Sequence, residues 1–324
     1  DDIACGAGNV CDDLAGSAGE QPTYDFHGHL ATAYYGFEER SVAPSSDQSG
    51  SLSDLYPQSS FDVTDLTLFV GIPIGDALYA AAEIEYEFGG EEIDLDQAFV
   101  EWDLQREERL AVRLGKFYAP FGIERFYQNA PRNPLVDRPS PYIHIVPGTY
   151  SETGIELLGK HPLLDGPEIA LEYELALMNG LGAELFDSAR DARQVSDNNS
   201  SKALGGRLGL DLDRWLQLGA SALVGDYDDS NEDRFRFVGA DVRATWGPLA
   251  LRGEYVYAHV DQPDLIDSLG TPCSDARPLC PGLVPPLVPL GGSLVRRGWY
   301  AEATWSTRPR FTRLLDELNY VLRY

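Results

Sequence analysis

The sequence predicts an all-β chain, a transmembrane antiparallel β-barrel of about thirteen strands. Apolar and polar residues alternate with a period of two. From Leu78 to Phe88, for example, Leu78, Ala80, Ala82, Ile84, Tyr86 and Phe88 share one face, and Glu83, Glu85 and Glu87 share the other. The pattern recurs about a dozen times, and its aromatic residues favour the ends of the apolar faces, as interfacial girdles do. No apolar run reaches the roughly 18 residues that a membrane-crossing helix requires.

Each element follows in order. Residues 1–22 are rich in Gly, Ala and Asp and read as a periplasmic extension; the barrel is expected over 23–324. Strands are expected at Tyr24–Phe37, Phe61–Ile72, Leu78–Phe88, Ile93–Leu104 and Arg109–Tyr118. A segment from Pro120 to Tyr150 then carries prolines at 120, 131, 134, 139, 141 and 147, which excludes a central strand. Strands resume at Glu152–Gly159 and Ile169–Met178, followed by a polar loop over Gly180–Ser201. Further strands are expected at Ala203–Leu212, Trp215–Gly225, Phe235–Trp246, Leu249–Val260 and Gly298–Ser306, and a last one from Leu318. Short turns follow the even-numbered strands and most long loops the odd ones, which orients a barrel with its short turns in the periplasm. An odd count leaves the last strand running outward, so further strands are expected beyond Tyr324.

The formal net charge of −27 argues against nucleic acid as a partner, because a phosphate backbone needs a basic face. The four cysteines form two close pairs, Cys5 with Cys11 and Cys273 with Cys280, outside the expected strands. Local disulfides in an oxidising compartment are the expectation; the spacings are not those of a zinc site. Asp1 reads as a mature terminus after signal cleavage, which places the chain beyond the inner membrane of a Gram-negative cell. His27 and His29 share a face of the first strand, but no third ligand accompanies them, so no metal and no cofactor are expected. The acidic run from Asp226 to Asp233 lacks the spacing of an EF-hand loop. No nucleophile elbow or phosphate loop appears, and no enzymatic activity is expected.

The stretch Arg113-Leu114-Gly115-Lys116-Phe117-Tyr118-Ala119-Pro120-Phe121-Gly122 resembles the GKF-x-x-PFG segment of the phosphate-selective porin (OprO/OprP-like) superfamily. Asp137-Arg138-Pro139, Val146-Pro147-Gly148 and Ser151-Glu152-Thr153-Gly154-Ile155 continue the resemblance. It implies an outer-membrane barrel of about sixteen strands, a homotrimer, and a third outer loop, here 119–150, inserted into the pore. On that reading Glu124, Arg125, Tyr127, Arg132, Asp137 and Arg138 form the pore constriction, or tie the loop to the wall by salt bridges.

Phosphate selectivity would require a ladder of inward cations. The inferred lumen instead mixes Arg109, Arg113, Arg207, Arg243 and Arg252 with a larger set of carboxylates that includes Glu83, Glu85, Glu172 and Glu174. The expected function is passive diffusion of small hydrophilic solutes or ions through a weakly cation-preferring pore in the outer membrane, with membrane lipid as the surrounding partner. The alternative is a barrel scaffold that anchors or sheathes a protein partner through the N-terminal extension or the outer loops.

Overall fold

The computed structural model describes residues 24–36, 59–87, 92–105, 110–127, 133, 135, 138–148, 150–164, 166–186, 189, 192, 196–213, 215–261, 293–307 and 318–324. Among them, thirteen antiparallel strands form one sheet in chain order. They are β1 (Asp25–Gly36), β2 (Ser59–Ile74), β3 (Leu78–Glu87), β4 (Glu92–Gln105), β5 (Leu110–Tyr118), β6 (Ser151–Leu164) and β7 (Gly166–Met178). Then come β8 (Ala203–Leu212), β9 (Leu216–Asp226), β10 (Arg234–Trp246), β11 (Leu249–Asp261), β12 (Ser293–Thr307) and β13 (Leu318–Arg323). One short helix, α1 (Pro141–His144), lies in the connection between β5 and β6. β1 and β13 stand at the two edges, with no ladder between them among the described residues. The expected N-terminal extension and all four cysteines, Cys5, Cys11, Cys273 and Cys280, lie outside the described residues.

Side chains are sorted in the opposite sense to a water-soluble fold. Val100, Trp102, Leu114, Leu177, Leu208, Val238, Val242 and Leu251 are exposed on the outward face. Glu83, Glu85, Glu156, Arg207, Asp241, Arg252, Glu254 and Glu302 are buried on the inward face. Only a lipid exterior makes this arrangement favourable, and only a continuous ladder satisfies the backbone there. Tryptophans mark one rim of the apolar band. Trp215 stacks on Trp246 with ring centroids 5.4 Å apart. Trp246 pairs with Leu249, and Leu249 pairs in turn with Trp305.

The sheet is strongly curved. Adjacent residues Glu124 and Arg125, in the β5–β6 connection, reach Tyr300 on β12 and Glu174 on β7. In a flat sheet these two strands would lie about 24 Å apart. The wall therefore wraps around the connection, which packs on its concave face. In the half of the wall nearer the long loops that concave face is apolar. Phe117, Met178, Leu223, Phe235, Phe237, Val256 and Val260 form one cluster with Phe121, Tyr142, Val146, Leu181 and Leu185 from the connections.

Three expectations are revised. β12 begins at Ser293, five residues before the expected Gly298. β6 runs to Leu164, not to Gly159. Pro162 is accommodated because the register with β7 shifts between Pro162 and Leu164, an irregularity of the kind that tolerates a missing N–H. The loop after β7 is not uniformly polar either: Leu181 and Leu185, four residues apart around the short turn Ala183–Phe186, are fully buried.

An Arg in place of Val242, mid-strand on the lipid face, should destabilise the folded protein by about 2–4 kcal/mol. Denaturant unfolding in lipid vesicles measures this, and an unchanged midpoint would overturn the assigned facing.

Candidate functional site

The stretch from Gly115 to Gly122 turns the chain from the wall into the interior, and its residue types have physical reasons. Gly115 adopts φ +130°, and a Cβ there would come within 2.3 Å of the Ala98 carbonyl oxygen on β4. Glycine is required because the two backbones approach closely in a conformation that side chains disfavour. Phe117 and Phe121 are buried in the apolar cluster, where Phe121 meets Phe237 edge-on at 6.2 Å. Gly122 adopts φ +65°, and a Cβ there would lie 2.0 Å from both Glu254 Oε1 and the Tyr142 hydroxyl.

Beyond Gly122 the inserted segment is fastened to the wall. The Gly122 amide donates to Ser221 Oγ (2.9 Å) and the Ile123 amide to Glu254 Oε2 (3.4 Å). The Tyr142 hydroxyl donates to Glu254 Oε1 at 2.5 Å. Glu124, only 2% exposed, accepts from Arg252 Nη1 (3.2 Å) and the Tyr300 hydroxyl (3.0 Å). Arg125 donates to Glu174. The Tyr127 ring stacks on the Arg252 guanidinium, 4.0 Å from its centroid, with Arg243 at 5.9 Å.

Other inward cations are paired with carboxylates, whereas Arg243 has only its contact with the Tyr127 ring among the described residues. Arg252 grips Glu302 with two bonds, 2.8 and 3.0 Å, and Arg323 also donates to Glu302 (2.8 Å). Arg113 bridges Glu101 (2.6 Å) on β4 and Glu156 (2.8 Å) on β6. Arg207 pairs with Asp241 (2.7 Å) across β9, and Lys160 joins Glu172 (2.7 Å) and Asp211. Glu83 accepts from Gln97 Nε2 (2.6 Å), and the Tyr118 hydroxyl lies between Glu83 (3.2 Å) and Asp96 (3.0 Å). Glu85 is buried on the same face of β3.

Of the expected constriction residues, the structure brings Glu124, Arg125 and Tyr127 together against the wall. Arg138 is half-buried beside Gly148, further along the same connection. Arg132, Asp137 and Arg109 lie outside the described residues. Sequence reasoning missed Ser221, Tyr142 and Tyr300, which secure the segment from distant parts of the chain. Tyr300 was detectable as a hydroxyl-bearing residue at an inward position of its strand. His27 stacks on Phe69 at 4.6 Å, and no group of three or more metal-type ligands occurs among the described residues.

The loops at the same end are cross-tied. Asn199 Nδ2 donates to the Asp228 carbonyl (3.0 Å) and Asn198 Nδ2 to Asp229 (2.7 Å), joining the β7–β8 and β9–β10 connections. The Asp228 carboxylate turns onto its own loop. It accepts from the amides of Glu232 (2.9 Å), Asp233 (2.8 Å) and Ser230 (3.0 Å) and from the Ser230 hydroxyl. Partial burial opposes its ionisation, but these donors outweigh that cost and hold its pKa below the ordinary aspartate range.

The family model of phosphate-selective porin O and P matches residues 77–250, which run from β3 into β11. The chain belongs to this family. As a member of this porin family it resides in the outer membrane of a Gram-negative bacterium. An uncharacterised protein of Aquifex aeolicus (strain VF5) is 30% identical over 189 residues, 55% of this chain and 41% of the relative. The matched part of this porin chain thus spans less than half of that relative's length. Among solved structures, the anion-selective porin from Comamonas acidovorans has a TM-score of 0.49 at 11% identity, covering 94% of this chain and 79% of its own. The outer-membrane expressed OmpT of Vibrio cholerae has a TM-score of 0.48 at 8% identity, covering 94% and 77%.

Two outcomes are expected. Replacing Gly122 with Ala should cost about 1–3 kcal/mol, because the added methyl strains the positive φ and displaces the Glu254–Tyr142 contact. Faster protease nicking within 120–150 would report it; unchanged nicking would show that the segment is not held there. For Asp228, a depressed folded-state pKa means that its loop-stabilising bonds are complete above about pH 4 and are lost as the pH falls through the lower folded value. The amide resonances of Ser230, Glu232 and Asp233 should titrate together in that acid window and lose the transition in Asp228→Asn.

Proposed function

We propose that this porin conducts small hydrophilic solutes or ions by passive diffusion, with a weak preference for cations. The observation that carries the reading is how the inward cations are spent. Arg113, Arg125, Arg207 and Arg252 are each bound to carboxylates. A guanidinium neutralised in this way offers little attraction to a passing anion. Carboxylates are in the majority on the inward face, so the residual potential favours cations. Arg132, Asp137 and Arg138 belong to the part of the inserted segment beyond its anchored stretch, and we assign them to the constriction together with Glu124, Arg125 and Tyr127.

A second reading is favoured by the apolar cluster on the concave face. Side chains such as Phe235, Phe237 and Leu185 exclude water from part of the interior, as expected of a barrel that anchors a partner protein rather than one that conducts.

Single-channel current in a planar bilayer under a potassium chloride gradient separates the two readings. The proposal expects discrete steps with a reversal potential on the potassium side, shifted further that way by Arg138→Glu. A reversal potential on the chloride side would overturn the cation preference. Silence from correctly inserted protein, with a partner retained in mild detergent, would establish the scaffold.

A further inference from the structure

Most inward arginines are paired with carboxylates, and two arginines on the outward face are not paired. Arg236 on β10 and Arg297 on β12 are both exposed, and neither has a hydrogen-bond or ion-pair partner among the described residues. They flank β11. Arg236 pairs in register with His259 of β11, and Arg297 pairs with Tyr257, two residues away on the same strand. Two strand spacings and the two-residue offset put their backbones roughly 12 Å apart, close enough for long side chains to reach one ligand.

Their height on the wall is set by the tryptophans. Arg236 lies ten residues from Trp246 on one strand, which is about 34 Å along the strand and about 25 Å along the membrane normal at the usual tilt. That is the thickness of the apolar band, so Arg236 emerges where the hydrocarbon ends. Long loops follow β9 and β11 at this end, which makes it the outer leaflet. Just below lie Tyr255 and Trp299, register partners that supply an aromatic floor at the interface.

Nearby charges do not cancel the pair. Asp226 is taken by Arg234 at 3.1 Å, and Asp261 faces His259 at 3.5 Å. On a chain of net charge −27, two unpaired outward arginines at headgroup height form a local cationic site. We propose that Arg236 and Arg297 dock the phosphate-bearing headgroup of an outer-leaflet glycolipid, whose acyl chains lie along the wall below. A planar guanidinium suits phosphate through paired, charge-assisted bonds, and an apolar wall suits the chains. This site is separate from the conducting interior and does not depend on what passes through it.

The test uses the full-length protein in mild detergent and a pair of acylated glucosamine-disaccharide lipids, identical except that one carries phosphates and the other has lost them. Native mass spectrometry reads retention. The wild-type protein should retain the phosphorylated lipid about tenfold better. Arg236→Gln with Arg297→Gln should abolish the preference, and the double Lys variant should keep much of it. Equal retention of the two lipids by the wild-type protein, or an intact preference in the Gln variant, would overturn the proposal. Should the Gln variant fail to fold, the wild-type comparison of the two lipids still decides. A lipid-free oligomer that falls apart in the Gln variant would overturn it in favour of an interface between copies of this chain.

Discussion

The structure depends on one constraint: inside a bilayer no water is available to satisfy a backbone N–H or C=O. The wall must therefore be a continuous ladder in which each strand is paired with its neighbours, and β1 to β13 run in chain order for that reason. Once the ladder is imposed, side chains can only alternate, apolar to lipid and polar to the interior. Every later feature is a consequence of that division. Charges are pushed inward, where they must find one another, and the outward face keeps a charge only where the hydrocarbon ends.

The inward charges are arranged by register. Arg113 stands directly between Glu101 and Glu156 because β5 is paired with β4 and β6 at those positions. Arg252 faces Glu302 for the same reason. In an interior of reduced dielectric such pairs are costly to break singly, since the remaining charge is left without a counter-ion. The inserted segment adds to these pairs by bringing Glu124 to Arg252, which the wall already pairs with Glu302, and by giving Glu174 a partner in Arg125. Its position is thus fixed by electrostatics at Glu124 and Arg125 and by shape at Gly122.

Much of the wall was legible in the sequence because period-two alternation survives almost unbroken. The strand expected at Ala203–Leu212 has those bounds, and Leu249–Val260 differs from β11 by one residue. Register itself was less legible, since alternation gives a residue's face and not its partner; Glu124 and Tyr300 meet across 176 positions of the chain. The apolar half of the interior was hidden for another reason. Where Phe235 and Phe237 point inward, they alternate with outward Arg234 and Arg236, and Val256 and Val260 alternate with Tyr255, Tyr257 and His259, so a rule that assigns apolar residues to lipid inverts the facing there. Their signal lies in the pairing of such stretches with Phe121, Leu181 and Leu185 in the connections, which have no strand to belong to.

The two halves of the interior follow from these rules. Near the short turns the inner wall carries Lys160, Glu172 and Asp211, partly open to water, and hydration lowers the cost of their charge. Near the long loops the connections cover the inner wall, water is excluded, and phenylalanine becomes the favourable inward residue. Between these zones lie the most deeply buried ion pairs, Arg207 with Asp241 and Arg252 with Glu124 and Glu302. The inserted segment therefore meets the wall, at Arg252, on the boundary between the hydrated zone and the apolar one.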